Sequence, residues 1–237
     1  MTEGTAARPD VGVPLEVRVL RVFLGPDGAG GNQLGIVLDG AAIPAPSRQA
    51  IAARLGYSET VFVEDPATGR IRIHTPATEL PFAGHPTVGT AWLLRREHGR
   101  CEVLQPPAGE VPTWEDSDRC WIRARPEWIH PITTAQLASA ADVDALDGPP
   151  AGEGSYYAWA WIDEPAGILR SRYFAPAYGI PEDEATGAAA VMMGGHLRQR
   201  LDIRQGRGSF LSVRPGPDGS VELGGRVVAA GVRTVEA

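Results

Sequence analysis

Cysteine is scarce in this chain: two, Cys101 and Cys120, in 237 residues. They form no CxxC pair, and their number excludes a disulfide-dense secreted scaffold. Long apolar runs are missing. No stretch approaches the roughly 20 residues that span a bilayer, and residues 1–14 carry no apolar core of signal-peptide type. A cytoplasmic protein without a membrane partner is the expectation. Clustered positive charge is missing as well. The 22 Lys and Arg are scattered and the net charge is −7, which argues against nucleic acid as a partner. The five histidines show no ligand spacing, so no metal is expected. No GK[ST] follows the glycine-rich 26–32 and no Rossmann fingerprint occurs, so no nucleotide cofactor is implied. No Gly-x-Ser-x-Gly turn offers a serine nucleophile.

What is present is a strand-rich pattern. A hydrophobic content of 43% supports a packed core, and the length suits one large domain or two ordinary ones. Residues 1–14 read as a disordered lead. Leu15–Phe23 alternates apolar and polar at the period of a half-buried strand. Strands are expected at 34–38, 60–63, 70–74 and 101–104, and later at 120–123, 128–129, 156–162, 169–174, 210–214, 220–223 and 227–235. Short helices are expected at 46–55, capped by Ser47 and closed by Gly56, and at 133–140. Two longer helices, about 86–98 and 184–199, carry Ala, Gly and Leu with few charges, as buried helices do. A doubly wound parallel sheet needs a helix between most strands, so the pattern is α+β. A Pro- and Gly-rich run over 105–113 marks the boundary between domains 15–113 and 114–237, with the last strand free to return to the first domain.

One plan occurs twice. Arg70–His74, a Thr75-Pro76 turn and His85 precede the first long helix. Arg172–Phe174, an Ala175-Pro176 turn and Asp183 precede the second. His85 and Asp183 each have a glycine four residues on, at Gly89 and Gly187. Two similar domains with facing helix N-termini follow, and free N–H groups there suit a substrate carboxylate. Gly84, Thr186, Gly187 and Ala188 would form that surface. His85 either exchanges a proton or packs and caps. Asp183 is either a site acid or a plain N-cap. Glu59, at a helix-to-strand junction before an apolar run, is either a proton shuttle raised by desolvation or a surface residue closing a turn. Tyr57, Phe82, Trp159 and Tyr178 line a pocket or pack the core.

The blocks Gly31-Asn32, Ser58-Glu59-Thr60, Leu80-Pro81-Phe82-Ala83-Gly84-His85-Pro86-Thr87, Glu182–Gly187 and Arg204–Ser209 resemble those of the PhzF-like (phenazine biosynthesis-like) isomerases. The resemblance spans about residues 15–235. It implies the diaminopimelate epimerase-like fold: two similar β-roll domains, each wrapped around a central helix, with the active site between them. It maps the acid/base onto Glu59, with His85 and Asp183 as its catalytic companions and Asn32 and Ser58 beside the substrate. It implies a homodimer that isomerises a small carboxylic acid in secondary-metabolite biosynthesis, with no cofactor. The related racemases use two cysteines where this chain has His85 and Asp183. Two departures stand out: Ala188 replaces the family serine, and Gly31-Asn32 is followed by Gln33 rather than proline. The alternatives are a non-catalytic binder of small acids and an epimerase or racemase.

Overall fold

The computed structural model describes residues 14–152 and 154–236. The lead expected over 1–14 lies, apart from Pro14, outside the described residues. The first half runs β1 (Pro14–Leu24), β2 (Gly30–Val37), α1 (Ala45–Leu55), β3 (Glu59–Asp65), β4 (Arg70–His74), β5 (Glu79–Leu80), α2 (Gly84–His98) and β6 (Val103–Leu104). Next come β7 (Val111–Asp116), β8 (Arg119–Ala124), β9 (Thr133–Gln136), α3 (Ala140–Asp144), β10 (Tyr156–Asp163), β11 (Ile168–Ala175) and β12 (Ile180–Asp183). The chain ends with α4 (Gly187–Leu197), β13 (Leu201–Gln205), β14 (Ser209–Pro215) and β15 (Val221–Glu236).

The repeated plan is visible in the pairing. β2 and β3 are parallel across α1, and β3, β4 and β5 follow antiparallel before α2. β9 and β10 are likewise parallel across α3, and β10, β11 and β12 follow antiparallel before α4. In the first half, β4–β3–β2–β1–β15–β8–β7–β6 curl around α2, and a bridge between Arg70 and Gln105 joins the two ends. In the second, β9–β10–β11–β13–β14–β15 curve around α4. β15 serves both rolls. Its first five residues pair with β8, and from Arg226 onward it pairs with β1. The fold is therefore α+β, with a buried helix inside each curved sheet.

Several local expectations change. Thr133–Gln136 is a strand, as its β-branched threonines permit, and the helix starts later, at Ala140, where the Ser139 hydroxyl accepts from the Asp142 N–H at 3.2 Å. Trp128 ends a 3-10 turn that Pro126 opens. The Pro- and Gly-rich 105–113 run already contains the start of β7. Ser47 does not cap α1, which begins at Ala45. The last two expected strands are one. Gly224 and Gly225 do not break it, because Trp121 and Phe23 lie where their Cβ atoms would stand. Gly56 and Gly99 do close α1 and α2 in the left-handed conformation.

The two long helices meet at their N-termini. A Cβ on Gly84 would sit 2.6 Å from Gly187 backbone atoms, and one on Gly187 would sit 2.7 Å from Gly84 Cα and the His85 nitrogen. The backbones are in direct contact, and only glycine at both positions permits it. We expect Gly84→Ala and Gly187→Ala each to lower stability by roughly 1–3 kcal/mol in denaturant titrations. Gly148→Ala, where a Cβ meets nothing within 4 Å, should stay near the parent. Unchanged midpoints for the first two would contradict the contact.

Candidate active site

Three buried ionisable side chains gather where the helices meet. Glu59 opens β3, and its parallel pairing with Leu34 of β2 sets it close to Asn32. His85 is the second residue of α2, and Asp183 is the last of β12. Asp183 is therefore not the N-cap of α4. That position belongs to Thr186, whose hydroxyl turns to Asp183 instead of to the helix. The helix starts place Gly84, not Gly89, opposite Gly187.

Glu59 Oε2 lies 3.2 Å from His85 Nδ1. The approach misses hydrogen-bond angles, so this oxygen has no true partner, and neither does His85 Nε2. Asp183 is the opposite case. Its Oδ1 accepts from Asn32 Nδ2 at 2.6 Å and its Oδ2 from the Thr186 hydroxyl at 2.6 Å. Asn32 also donates to the Ala185 carbonyl, and its own Oδ1 accepts from Ser58. The amide of Asn32 and the hydroxyl of Thr186 are thus engaged with protein groups.

Burial governs the protonation states. It pushes the Glu59 carboxyl up to about 8, with the Asp183 charge adding to it and the Ser58 hydroxyl opposing it. Burial also raises Asp183, and hydrogen bonds from Thr186, Asn32 and Ser58 pull against that rise. Burial lowers His85 to about 3, opposed by the Gln33 backbone, so the ring is neutral. Both carboxyls therefore hold a proton more readily than an ordinary carboxylate does.

Glu59, Asp183, Thr186 and Ala188 border a narrow cavity of about 70 Å³. The rest of its wall is mostly apolar and includes Leu80, Phe82, Ile132, Tyr178 and Ile180. Among the described residues, no arginine lines it. Of the aromatic candidates, Phe82 and Tyr178 reach this cavity. Tyr57 borders a neighbouring outer recess, under Arg233, and Trp159 packs in the core. A more open cleft of about 550 Å³ between the β3–β4 turn and the end of α2 gathers none of these acids.

Tyr173, Ser155 and the 129–132 segment escaped the sequence reading, yet all reach the cavity. Register explains Tyr173, which stands opposite Asp183 across β11 and β12. Residues 129–132 lie on an irregular connection with no periodicity to betray them. Gln205 was also missed as a site residue: it is buried and donates to the Asp183 carbonyl and to Thr186 Oγ1. Cys101 and Cys120 are buried free thiols away from the cavity, and burial pushes Cys120 up to about 12.

Comparison with known proteins gives the same grouping. The family model described as phenazine biosynthesis-like protein (PhzC-PhzF) matches residues 25–154 and 154–214. The chain belongs to the phenazine biosynthesis-like family. Within it, trans-2,3-dihydro-3-hydroxyanthranilate isomerase of Pseudomonas aeruginosa is 30% identical over 216 residues, covering 75% of this chain and 78% of that one. The relatives' names give the class, and this phenazine biosynthesis-like chain is an isomerase. The PhzF family protein of Bacillus anthracis superposes with a TM-score of 0.75 at 20% identity, over 94% of this chain and 99% of that one. A probable proline racemase from Agrobacterium radiobacter shares the fold with a TM-score of 0.61 at 12% identity, over 93% and 92% of the two chains.

The raised Glu59 carboxyl has a stability signature. The folded state keeps this proton up to about 8, whereas the ordinary value is 4.5. Between those values the folded state holds a proton that the unfolded chain has lost, so its contribution to stability falls as pH rises. Glu59→Gln removes that dependence. Its stability relative to the parent should grow from pH 4.5 to about 8 and then level, by on the order of a few kcal/mol. Guanidinium unfolding across that range reads it, and a constant difference contradicts it.

Proposed function

We propose that this protein is a cofactor-independent isomerase that moves a proton between carbons of a small conjugated or cyclic carboxylic acid. The observation that carries the proposal is Glu59: buried, raised in proton affinity, with one oxygen unpartnered at the wall of an apolar cavity. In its ionised form Glu59 takes a proton from a carbon activated by the substrate carboxylate. The electron pair spreads through the conjugated acid, and Glu59 returns the proton at a second carbon. A carboxylate with raised affinity is a stronger base than an ordinary one, and the apolar wall keeps it so. Neutral His85 polarises the substrate beside Glu59, and Asp183 positions it. The first-turn N–H groups of α2 and α4, at Gly84, Gly187 and Ala188, hold the substrate carboxylate.

The chain contains no lysine, so it offers no side-chain amine for imine chemistry. That favours proton transfer by the carboxyl groups alone. The hydroxyanthranilate-type substrate belongs to the Pseudomonas relative. Ala188 on the cavity wall, in place of serine, favours a substrate with one polar contact fewer. Two domains, a homodimer and a cytoplasmic setting complete the proposal; the expected boundary at 113/114 falls inside β7, and the first domain runs on through β8, which packs on α2. The buried free thiols accord with a reducing compartment. A non-catalytic binder of the same acids is the second reading, motivated by Ala188. It predicts binding without exchange.

Proton NMR of cyclic unsaturated carboxylic acids turned over in D2O tests both. We expect deuterium to enter at carbon, with a rate that climbs as pH rises through about 8. Glu59→Gln should lower it about 10²- to 10⁴-fold. A fully active Glu59→Gln would sink the isomerase mechanism, and binding with no exchange would favour the binder.

A further inference from the structure

Two buried amides and two backbone carbonyls fix the hydrogen-bond directions around Asp183. Asn32 Nδ2 is 3.1 Å from the Ala185 carbonyl, which can only accept. That fixes the amide with its NH2 group on this side, so Asn32 donates to Asp183 Oδ1. Gln205 Nε2 is 3.0 Å from the Asp183 carbonyl, which again only accepts. The same NH2 therefore donates to Thr186 Oγ1 at 2.8 Å. With Gln205 donating to its oxygen, the single Thr186 hydroxyl proton is left for Asp183 Oδ2 at 2.6 Å, the direction this bond takes in the structure. Both Asp183 oxygens thus face donors. Hydrogen bonds donated to a carboxylate favour its ionised form. Glu59 has the reverse surroundings, with Oε2 unpartnered.

We propose that Gln205, acting through the Thr186 hydroxyl and alongside Asn32, is a positioning residue that holds Asp183 as the ionised member of the pair and leaves the proton on Glu59. Gln205 is 1% exposed, and its own Oε1 has no partner. An unsatisfied buried carbonyl is costly, and its retention fits a role for the amide's orientation beyond packing. Asp183 then stays anionic through the range in which Glu59 gains and loses its proton, so Glu59 alone carries hydrogen to and from the substrate. The consequence for catalysis rests on the isomerase proposal, whereas the proton's location does not.

The two are separable, because carboxyl 13C NMR on the full chain reads protonation without substrate. Glu59→Gln and Asp183→Asn assign the two resonances. Asp183 should ionise at lower pH than Glu59. Gln205→Met and Thr186→Val should each raise the Asp183 midpoint by about one to two pH units. The double variant should go no further than Thr186→Val alone, since Gln205 acts on the Asp183 side chain through the Thr186 hydroxyl. Thr186→Ser, which keeps the hydroxyl, should titrate like the parent. If Gln205→Met fails to fold, Thr186→Val against Thr186→Ser decides. Glu59 ionising first, an unmoved Asp183 in Thr186→Val, or additive shifts in the double variant would each overturn the proposal. Absence of turnover with intact titration shifts would count against the isomerase mechanism alone.

Discussion

The backbone contact between Gly84 and Gly187 is the constraint on which the rest depends. Two helices, each inside its own curved sheet, touch where they begin. Their orphan N–H groups and positive dipole ends converge there. Everything ionisable in the site hangs on elements anchored to this point. His85 follows Gly84 directly, Thr186 precedes Gly187, and Asp183 ends the strand leading into α4. A methyl group on either glycine would push the two halves apart and open the cavity to water.

Dryness is the second condition, and it follows from the first. Burial is the leading cause of the shifts at Glu59, His85 and Asp183. The same desolvation leaves the three groups with different outcomes because their hydrogen bonds differ. Asp183 accepts from donors on both oxygens, whereas Glu59 Oε2 has no hydrogen-bond partner. His85 sits neutral between α2 and Glu59. Two carboxyls of similar chemistry are thereby pushed toward different roles, the arrangement proton-transfer sites use to keep one group mobile and the other fixed. β15 contributes from a distance. By pairing with β1, β8 and β14 it ties the two rolls together and holds their helices in register.

Much of the fold was legible from periodicity. β1, β3, β4, β10, β11 and the two long helices lie close to where alternation, apolar runs and glycine stops put them. Thr133–Gln136 misled, because a polar threonine pair before an alanine run has a helix-start pattern, and only pairing beside β10 made it a strand. β12 and β13 carried too short or too polar a signal. In the site, His85 and Asp183 drew notice beside the repeated helix starts and Glu59 at a helix-to-strand junction, each with a structural reading left open, and the family resemblance grouped them. The equivalence drawn between His85 and Asp183 was offset. A spacing to glycine does not reveal which glycine sits at the helix crossing. Gln205 lay in the resembling block 204–209 and Tyr173 in the repeated strand 172–174, yet nothing local marked either as a site residue.

The amino-acid sequence by itself determined most element types and nominated the acids, because those depend on neighbours a few residues away. The tertiary structure decided which of those acids is buried and which oxygen has a partner. Those properties come from groups far apart in the chain, such as Asn32 against Asp183 and Gln205 against Thr186. Desolvation and hydrogen-bond direction are set by what surrounds a group in space, and no local pattern records them.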